Sequence, residues 1–135
     1  MSAKKDTENA VIVILTEKDK ILVVQRSKTD HWMPLSWCAP GGHIMEYESP
    51  YHAARRELKE ETGLDAKSLF YMGTKKTFLG GKLYLYKCED FSGDVVLNFE
   101  HSDFKWIKYD DIDDLNVTPD LKQYARLALD IPFGY

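Results

Sequence analysis

The segment GHIMEYESPYHAARRELKEETGL, residues 42–64, contains the strongest local structural signal in the chain. Ser49 is a favourable N-cap residue, and Pro50 suits the first helical position because a proline has no N–H to leave unpaired there. Gly63 is the residue type that most readily adopts the left-handed conformation just after a helix. The pattern therefore predicts a helix over residues 50–62.

Three glutamates lie on one side of this predicted helix. Glu57, Glu60 and Glu61 occupy positions i, i+3 and i+4, so their side chains share one arc. On a solvated face such like-charge pairs cost only a few tenths of a kcal/mol. If the arc is half-buried, two carboxylates about 5 Å apart repel by roughly 3 kcal/mol at an effective dielectric of about 20, and a hard divalent cation is the usual counter-charge. The helix alone leaves both interpretations open.

The glutamates belong to a longer pattern with seven identities and two aliphatic positions, which are Gly42, Glu48, Arg56, Glu57, Glu60, Glu61 and Gly63 with Leu58 and Leu64. This pattern resembles the Nudix box, a constellation too long for chance coincidence. The resemblance extends to Trp37, to the Pro-Gly-Gly run at 40–42 and to Glu100–His101. Tyr47 departs from it, because many relatives have Gly just before the box glutamate.

The resemblance implies a fold and an activity. The expected fold is an α/β domain, a Nudix-type α/β/α sandwich with a central mixed β-sheet, formed by residues 1–135 with a flexible N-terminus over residues 1–8. The expected activity is hydrolysis of a nucleoside diphosphate linked to another group, with Mg²⁺ as cofactor and Mn²⁺ as a substitute. Attack on a phosphorus surrounded by negative oxygens requires charge neutralisation, which a divalent ion supplies.

By the same resemblance, five residues are candidate metal ligands. Glu57, Glu60 and Glu61 are expected to hold the metal with the carbonyl of Gly41. Glu100, outside the box, is a candidate for a further ligand or for the general base, and a plain surface carboxylate is the alternative. Relatives differ in which glutamate acts as base, so that assignment stays open.

Arg56 and Glu48 are expected to orient the metal-binding carboxylates, since a guanidinium can hold a carboxylate in a bidentate geometry. Candidate substrate contacts are Arg26, Trp32 in a loop, where it could stack on a nucleobase, and His43 beside the glycines. The four histidines share no metal-ligand spacing, so surface positions are expected for each, including His101.

The sequence says less about the substrate. Some Nudix subfamilies carry a Tyr or a Pro marker 15 to 17 residues after the box, and residues 79–81 are Leu, Gly and Gly. The absence of both markers favours a nucleoside triphosphate, cleaved to a monophosphate and diphosphate. The alternatives are a nucleoside-diphosphate-sugar hydrolase and a non-catalytic regulatory domain that binds a nucleotide, and the complete box favours an enzyme.

Composition limits the partners. The 18 Lys and Arg against 22 Asp and Glu give a net charge of −4, which argues against a nucleic-acid partner. The longest apolar run, residues 10–15, is too short for a bilayer span of about 20 residues, so no membrane partner is expected. Two cysteines, expected to be reduced and buried, suit a cytoplasmic protein. Nothing decides between monomer and homodimer.

The rest of the chain is read as strands and one terminal helix. Apolar and β-branched runs predict strands over 10–16, 20–26, 37–39, 69–79, 82–88, 95–99 and 104–108. The pair Thr118–Pro119 predicts the start of a terminal helix. The acidic residues 110–114 lack the glycine of a calcium-binding loop and predict the opening of a short helix.

Overall fold

A mixed β-sheet with helices on both faces organises the computed structural model, which describes residues 5–77 and 80–132. Within these residues there are seven strands, two α-helices and one 3₁₀ helix. The strands are β1 (Lys5–Glu17), β2 (Lys20–Arg26), β3 (Trp37–Cys38), β4 (Gly41–Met45), β5 (Asp65–Lys76), β6 (Lys82–Ser92) and β7 (His101–Lys108). The helices are α1 (Pro50–Thr62), the 3₁₀ helix at Tyr109–Asp114 and α2 (Leu121–Ala128).

The strand order explains why the sheet is mixed. The main path runs β3–β2–β1–β6–β5, while β4 pairs with β1 and β7 pairs with β2. The β1–β6 pair is parallel, and the other strand pairs are antiparallel. Strand β1 therefore lies at the centre, with β4 bringing the Gly41–Gly42 segment against it.

Two hydrophobic clusters lie on opposite faces of the sheet, because successive side chains of a strand point to opposite sides. Val13 of β1 packs in one cluster with Ala54 and Leu58 of α1. Ile14, the next residue, packs in the other cluster with Leu121 of α2. The predicted α/β/α layering and mixed sheet are thus confirmed. None of the described helices has the length and apolar character needed to span a bilayer.

Several boundaries differ from the sequence expectations. The predicted strand over 95–99 is wrong: the segment is irregular, and the Val96 N–H donates instead to the Thr62 carbonyl at 2.7 Å. Gly41 and Gly42, expected in a turn, are paired strand residues of β4. Helix α2 begins at Leu121, because Asp120 takes a left-handed φ of 70° as its N-cap. Leu79, at one subfamily marker position, and Phe78 lie outside the described residues.

Candidate active site and metal centre

Helix α1 has the boundaries that its cap residues predict. The Ser49 hydroxyl accepts a hydrogen bond from the His52 N–H at 3.1 Å, and Pro50 occupies the first turn. Gly63 closes the helix with a left-handed φ of 77°, its N–H donating to the Lys59 carbonyl at 2.9 Å. Since Leu58 is buried against the sheet, the glutamate arc beside it faces strand β4.

The glutamate arc is buried at one edge, at Glu61, and exposed at the other, at Glu60. Glu61 is only 3% exposed, and its Oε1 accepts a hydrogen bond from the Gly41 N–H at 2.7 Å. Burial raises the pKa of Glu61 well above its ordinary value, and a hydrogen bond shared with the Glu100 carboxyl raises it further. Burial also raises the pKa of Glu57, whereas Glu60 has a side chain that is 53% exposed. The arc as a whole is therefore not a solvated face: Glu60 lies at its exposed edge, whereas Glu57 and Glu61 are largely removed from water.

Arg56 connects the carboxylates of the box. Its Nε and Nη2 donate to the two oxygens of Glu48 at 2.7 and 2.9 Å, a bidentate pair. Its Nη1 donates to Glu57 at 3.0 Å and to Glu60 at 3.2 Å, and its Nη2 also donates to the His43 carbonyl at 3.0 Å. One planar guanidinium thus orients three glutamates, a task that the single ammonium of a lysine cannot perform.

Glu48 is held from a second direction. Its Oε1 accepts from the Met45 N–H at 3.0 Å, and the hydrogen bonds from Arg56 are the main reason why its pKa is lowered. Tyr47, just before it, adopts a φ of 68° with its side chain 96% exposed. The position where relatives carry Gly therefore does have the backbone conformation that favours glycine.

Glu100 and His101 approach the box from the start of β7. Glu61, Glu100 and His101 each offer one ligand atom, and these atoms lie within 4.8 Å of one another. His101 is 8% exposed, so the predicted surface position of this histidine is wrong. Its Nε2 lies 3.9 Å from the Cys38 Sγ, and its Nδ1 lies 3.9 Å from Glu61 Oε2. Burial lowers the pKa of His101, which favours the neutral imidazole that binds metals.

This donor set suits a divalent ion. The Glu61 carboxyl converges with the Glu100 carboxyl and the His101 imidazole, and burial raises the pKa of Glu61 and of Glu57. An uncompensated group of this kind is costly without a counter-charge. Nothing in the spacing of the histidines indicated this position for His101, because a side chain contributed by a distant strand has no local periodicity.

A cleft of about 460 Å³ opens beside the carboxylates. Gly41 and Gly42 line it, and so do all three sequence-predicted substrate contacts, which are Arg26, Trp32 and His43. Leu83, Asp120 and Tyr124 line another part of the cleft, together with Ile12, which pairs with Gly41 in the sheet. The lining of the cleft is thus mostly apolar, with charged side chains at Arg26 and Asp120.

Two ion pairs shape the walls of the cleft. The Arg26 guanidinium lies 5.0 Å above the Trp32 ring and donates to Asp30 at 2.7 Å. Across the cleft, Asp120 accepts from the Lys75 ammonium at 2.6 Å. Asp120 was not among the sequence-predicted site residues. The one sequence signal near it was the Thr118–Pro119 pair, which predicted the start of a helix and not a cleft residue. Cys38 also lines the cleft, and it and Cys88 are free and buried, as expected.

Comparison with known proteins gives consistent matches along the chain. The family model described as NUDIX domain matches residues 6–128. CMP-5'-(N-acetyl-N-hydroxy-3-aminopropyl)phosphonate hydrolase of Streptomyces rubellomurinus is 28% identical over 113 residues, covering 78% of this chain and 53% of that protein. A putative 8-oxo-dGTP diphosphatase of Bacillus subtilis is 42% identical over 60 residues, covering 44% of this chain and 37% of that protein. The chain therefore spans about half and about a third of the length of these two relatives.

A solved structure supports the fold over nearly the whole length. The MutT NUDIX hydrolase of Burkholderia pseudomallei superposes with a TM-score of 0.78 at 20% identity, covering 89% of this chain and 96% of that one. At this level of identity the likeness concerns the fold, the layered mixed sheet described above.

Proposed function

The chain belongs to the Nudix family of hydrolases, and on this premise we propose that it is an Mg²⁺-dependent pyrophosphohydrolase of nucleoside triphosphates. The expected products are a nucleoside monophosphate and diphosphate, from an NTP or a dNTP. The relative named as a putative 8-oxo-dGTP diphosphatase supports a triphosphate substrate.

One observation carries the proposal: the carboxylate cluster and the cleft share the Gly41–Gly42 backbone. A nucleotide needs a charged region for its phosphates and a less polar region for its base. The carboxylate cluster beside Gly41 and Gly42 supplies the first, and the mostly apolar lining of the cleft supplies the second. Its volume of about 460 Å³ falls within the usual range for small-molecule sites of about 300–1,000 Å³. A phosphate chain leaving the cleft past Gly42 would meet Glu57 and Glu61.

We assign the metal to Glu57, Glu60 and Glu61, with the Gly41 carbonyl and Glu100 as further ligands. When bound, Mg²⁺ or Mn²⁺ supplies charge neutralisation for the phosphates and a water of lowered pKa. Glu100 is also a candidate general base, because it is exposed and one of its carboxyl oxygens lies within 4.8 Å of a Glu61 oxygen.

The remaining candidate residues orient and bind. Arg56 and Glu48 keep the carboxylates in place through the bidentate pair at 2.7 and 2.9 Å. Arg26, Trp32 and His43 contact the substrate from the near wall of the cleft. The stacked Arg26–Trp32 pair presents both a cation for a phosphate and an aromatic surface for a base.

A substrate panel tests the proposal. Purified protein is incubated with NTPs, dNTPs, 8-oxo-dGTP, diadenosine polyphosphates, nucleoside-diphosphate sugars and 5′-triphosphorylated RNA, with Mg²⁺ and with a chelator, and the products of each reaction are identified by chromatography. We expect Mg²⁺-dependent release of diphosphate from triphosphates, with orders of magnitude less in Glu61→Gln and in Glu60→Gln. Preferred hydrolysis of another class would overturn the triphosphate assignment. A flat panel in which nucleotides still raise the melting temperature would indicate a regulatory nucleotide-binding domain instead.

A further inference from the structure

His101 has an unusual nitrogen atom. Among the side chains of residues 9–77 and 80–132, its Nδ1 is the one buried nitrogen or oxygen atom without a hydrogen-bond partner. A buried polar atom without a partner costs about 1–3 kcal/mol, so its persistence calls for an explanation. The side chain is 5% exposed, so bulk water does not satisfy this nitrogen.

The contacts on the two sides of the ring indicate what Nδ1 does. The Cys38 Sγ lies 3.9 Å from Nε2, within the range of a weak sulfur hydrogen bond. An Nε2–H that donates to this sulfur leaves the Nδ1 lone pair directed at Glu61. Metal-binding histidines commonly fix their tautomer in this way, by donating from the other ring nitrogen.

The distance between His101 Nδ1 and the Glu61 carboxyl shows whether the two groups form a hydrogen bond or are placed to share a metal ion. Nδ1 lies 3.9 Å from Glu61 Oε2, which is too long for an N–H···O or O–H···N hydrogen bond. Two donor atoms that share one divalent ion through bonds of about 2.1 Å lie about 3–4 Å apart. Glu100 completes a group of three ligand atoms that lie within 4.8 Å of one another.

We infer that His101 Nδ1 is a nitrogen ligand of the metal centre, acting with Glu61 and Glu100, and that it biases this position toward Mn²⁺ and similar transition ions over Mg²⁺. Imidazole is a ligand of first-row transition metals, whereas Mg²⁺ prefers oxygen. This inference rests on the proposed function in one respect, because it concerns the same carboxylate cluster.

Pulsed electron paramagnetic resonance on the Mn²⁺-loaded protein tests the nitrogen ligand directly. We expect the ¹⁴N modulation of a coordinated imidazole in the wild type and its replacement by a ¹⁵N pattern after selective ¹⁵N-histidine labelling. The modulation should vanish in His101→Gln and persist in His31→Gln, the matched control at an exposed loop histidine. Bound Mn²⁺ without nitrogen modulation in the wild type, or modulation that persists in His101→Gln, would overturn the inference.

Calorimetric titration with Mn²⁺ and Mg²⁺ provides a second readout that activity does not influence. We expect His101→Gln to weaken Mn²⁺ binding by roughly tenfold or more, and to change Mg²⁺ binding by less than about threefold. Equal weakening of Mn²⁺ and Mg²⁺ binding would overturn the inference and indicate that His101 has a structural role. Failure of the wild type to bind either ion would instead refute the proposed function, so the two failures are distinguishable.

Discussion

Two adjacent glycines, Gly41 and Gly42, allow the fold and the chemistry to be perturbed separately. Neither has a positive φ, so it is the space beside each Cα, and not backbone conformation, that requires glycine. A Cβ at position 41 would meet the backbone of β1, while a Cβ at position 42 would meet the carboxyl group of Glu57. The change Gly42→Ala should therefore impair hydrolysis far more than stability.

The magnitude follows from the distances. In Gly42→Ala the new Cβ would lie 2.6 Å from Glu57 Cδ, against an ordinary carbon–carbon separation of about 3.5–4.0 Å. The carboxyl must therefore move by about 1 Å, enough to disturb its 3.0 Å hydrogen bond from Arg56. A misplacement of about 1 Å at a site can cost roughly 10²-fold in rate. The stability change should stay near 1 kcal/mol, because moving toward solvent relieves the burial that raises the pKa of Glu57.

Gly41→Ala is the matched comparison. Its Cβ would lie 2.3 Å from the Val11 carbonyl oxygen and 3.1 Å from Ile12 Cα, both backbone atoms of the central strand. A backbone cannot rotate away, so β1 and β4 must separate, and we expect a loss of about 3 kcal/mol or more.

The assays are urea unfolding for stability and Mg²⁺-dependent diphosphate release for turnover. Gly42→Ala should unfold at nearly the wild-type urea midpoint with turnover lowered about 100-fold, and Gly41→Ala should unfold at a clearly lower urea concentration. Wild-type turnover in Gly42→Ala would refute the assignment of Glu57 to the metal site. Equal stability of the two variants would refute the reasoning from the backbone clash.

Three further predictions concern the residues around the cluster. Arg56→Lys should lower turnover about 10- to 100-fold while the circular dichroism spectrum is unchanged, because a lysine cannot keep the bidentate pair with Glu48; wild-type turnover would count against this role. In the presence of a chelator, wild-type stability should fall as pH rises above 4.5, the ordinary pKa of a glutamate, because the raised pKa of Glu61 makes the folded state hold its proton more tightly than the unfolded chain. In Glu61→Gln, thermal unfolding at pH 5 and pH 8 should show a smaller loss of stability than in the wild type. An equal loss in the two proteins would contradict this prediction. Tyr47→Gly should raise the free energy of unfolding by about 0.5–1 kcal/mol, since it relieves the left-handed φ of 68° at an exposed side chain, and a lower urea midpoint would argue otherwise.

Sequence reasoning succeeded where the causes are local. Helix α1 has its predicted bounds because Ser49, Pro50 and Gly63 act on the backbone within one turn of themselves. The same helix places Glu57 and Glu61 together, since their spacing by itself puts both on one arc. Sequence reasoning failed over residues 95–99, where apolar residues suggested a strand but the Val96 N–H donates to the Thr62 carbonyl at the end of helix α1.

The tertiary structure decided what depends on distant parts of the chain. The spacing of the glutamates could not distinguish the exposed Glu60 from the buried Glu61, because burial depends on whether β4 lies over a given side chain. The spacing also could not predict that His101 lies beside Glu61, which is 40 positions earlier in the chain. That contact depends on the pairing of β7 with β2. The sequence by itself determined the helix, its carboxylates and the class of chemistry. Sheet topology alone decided which carboxylates lose water and which stay exposed.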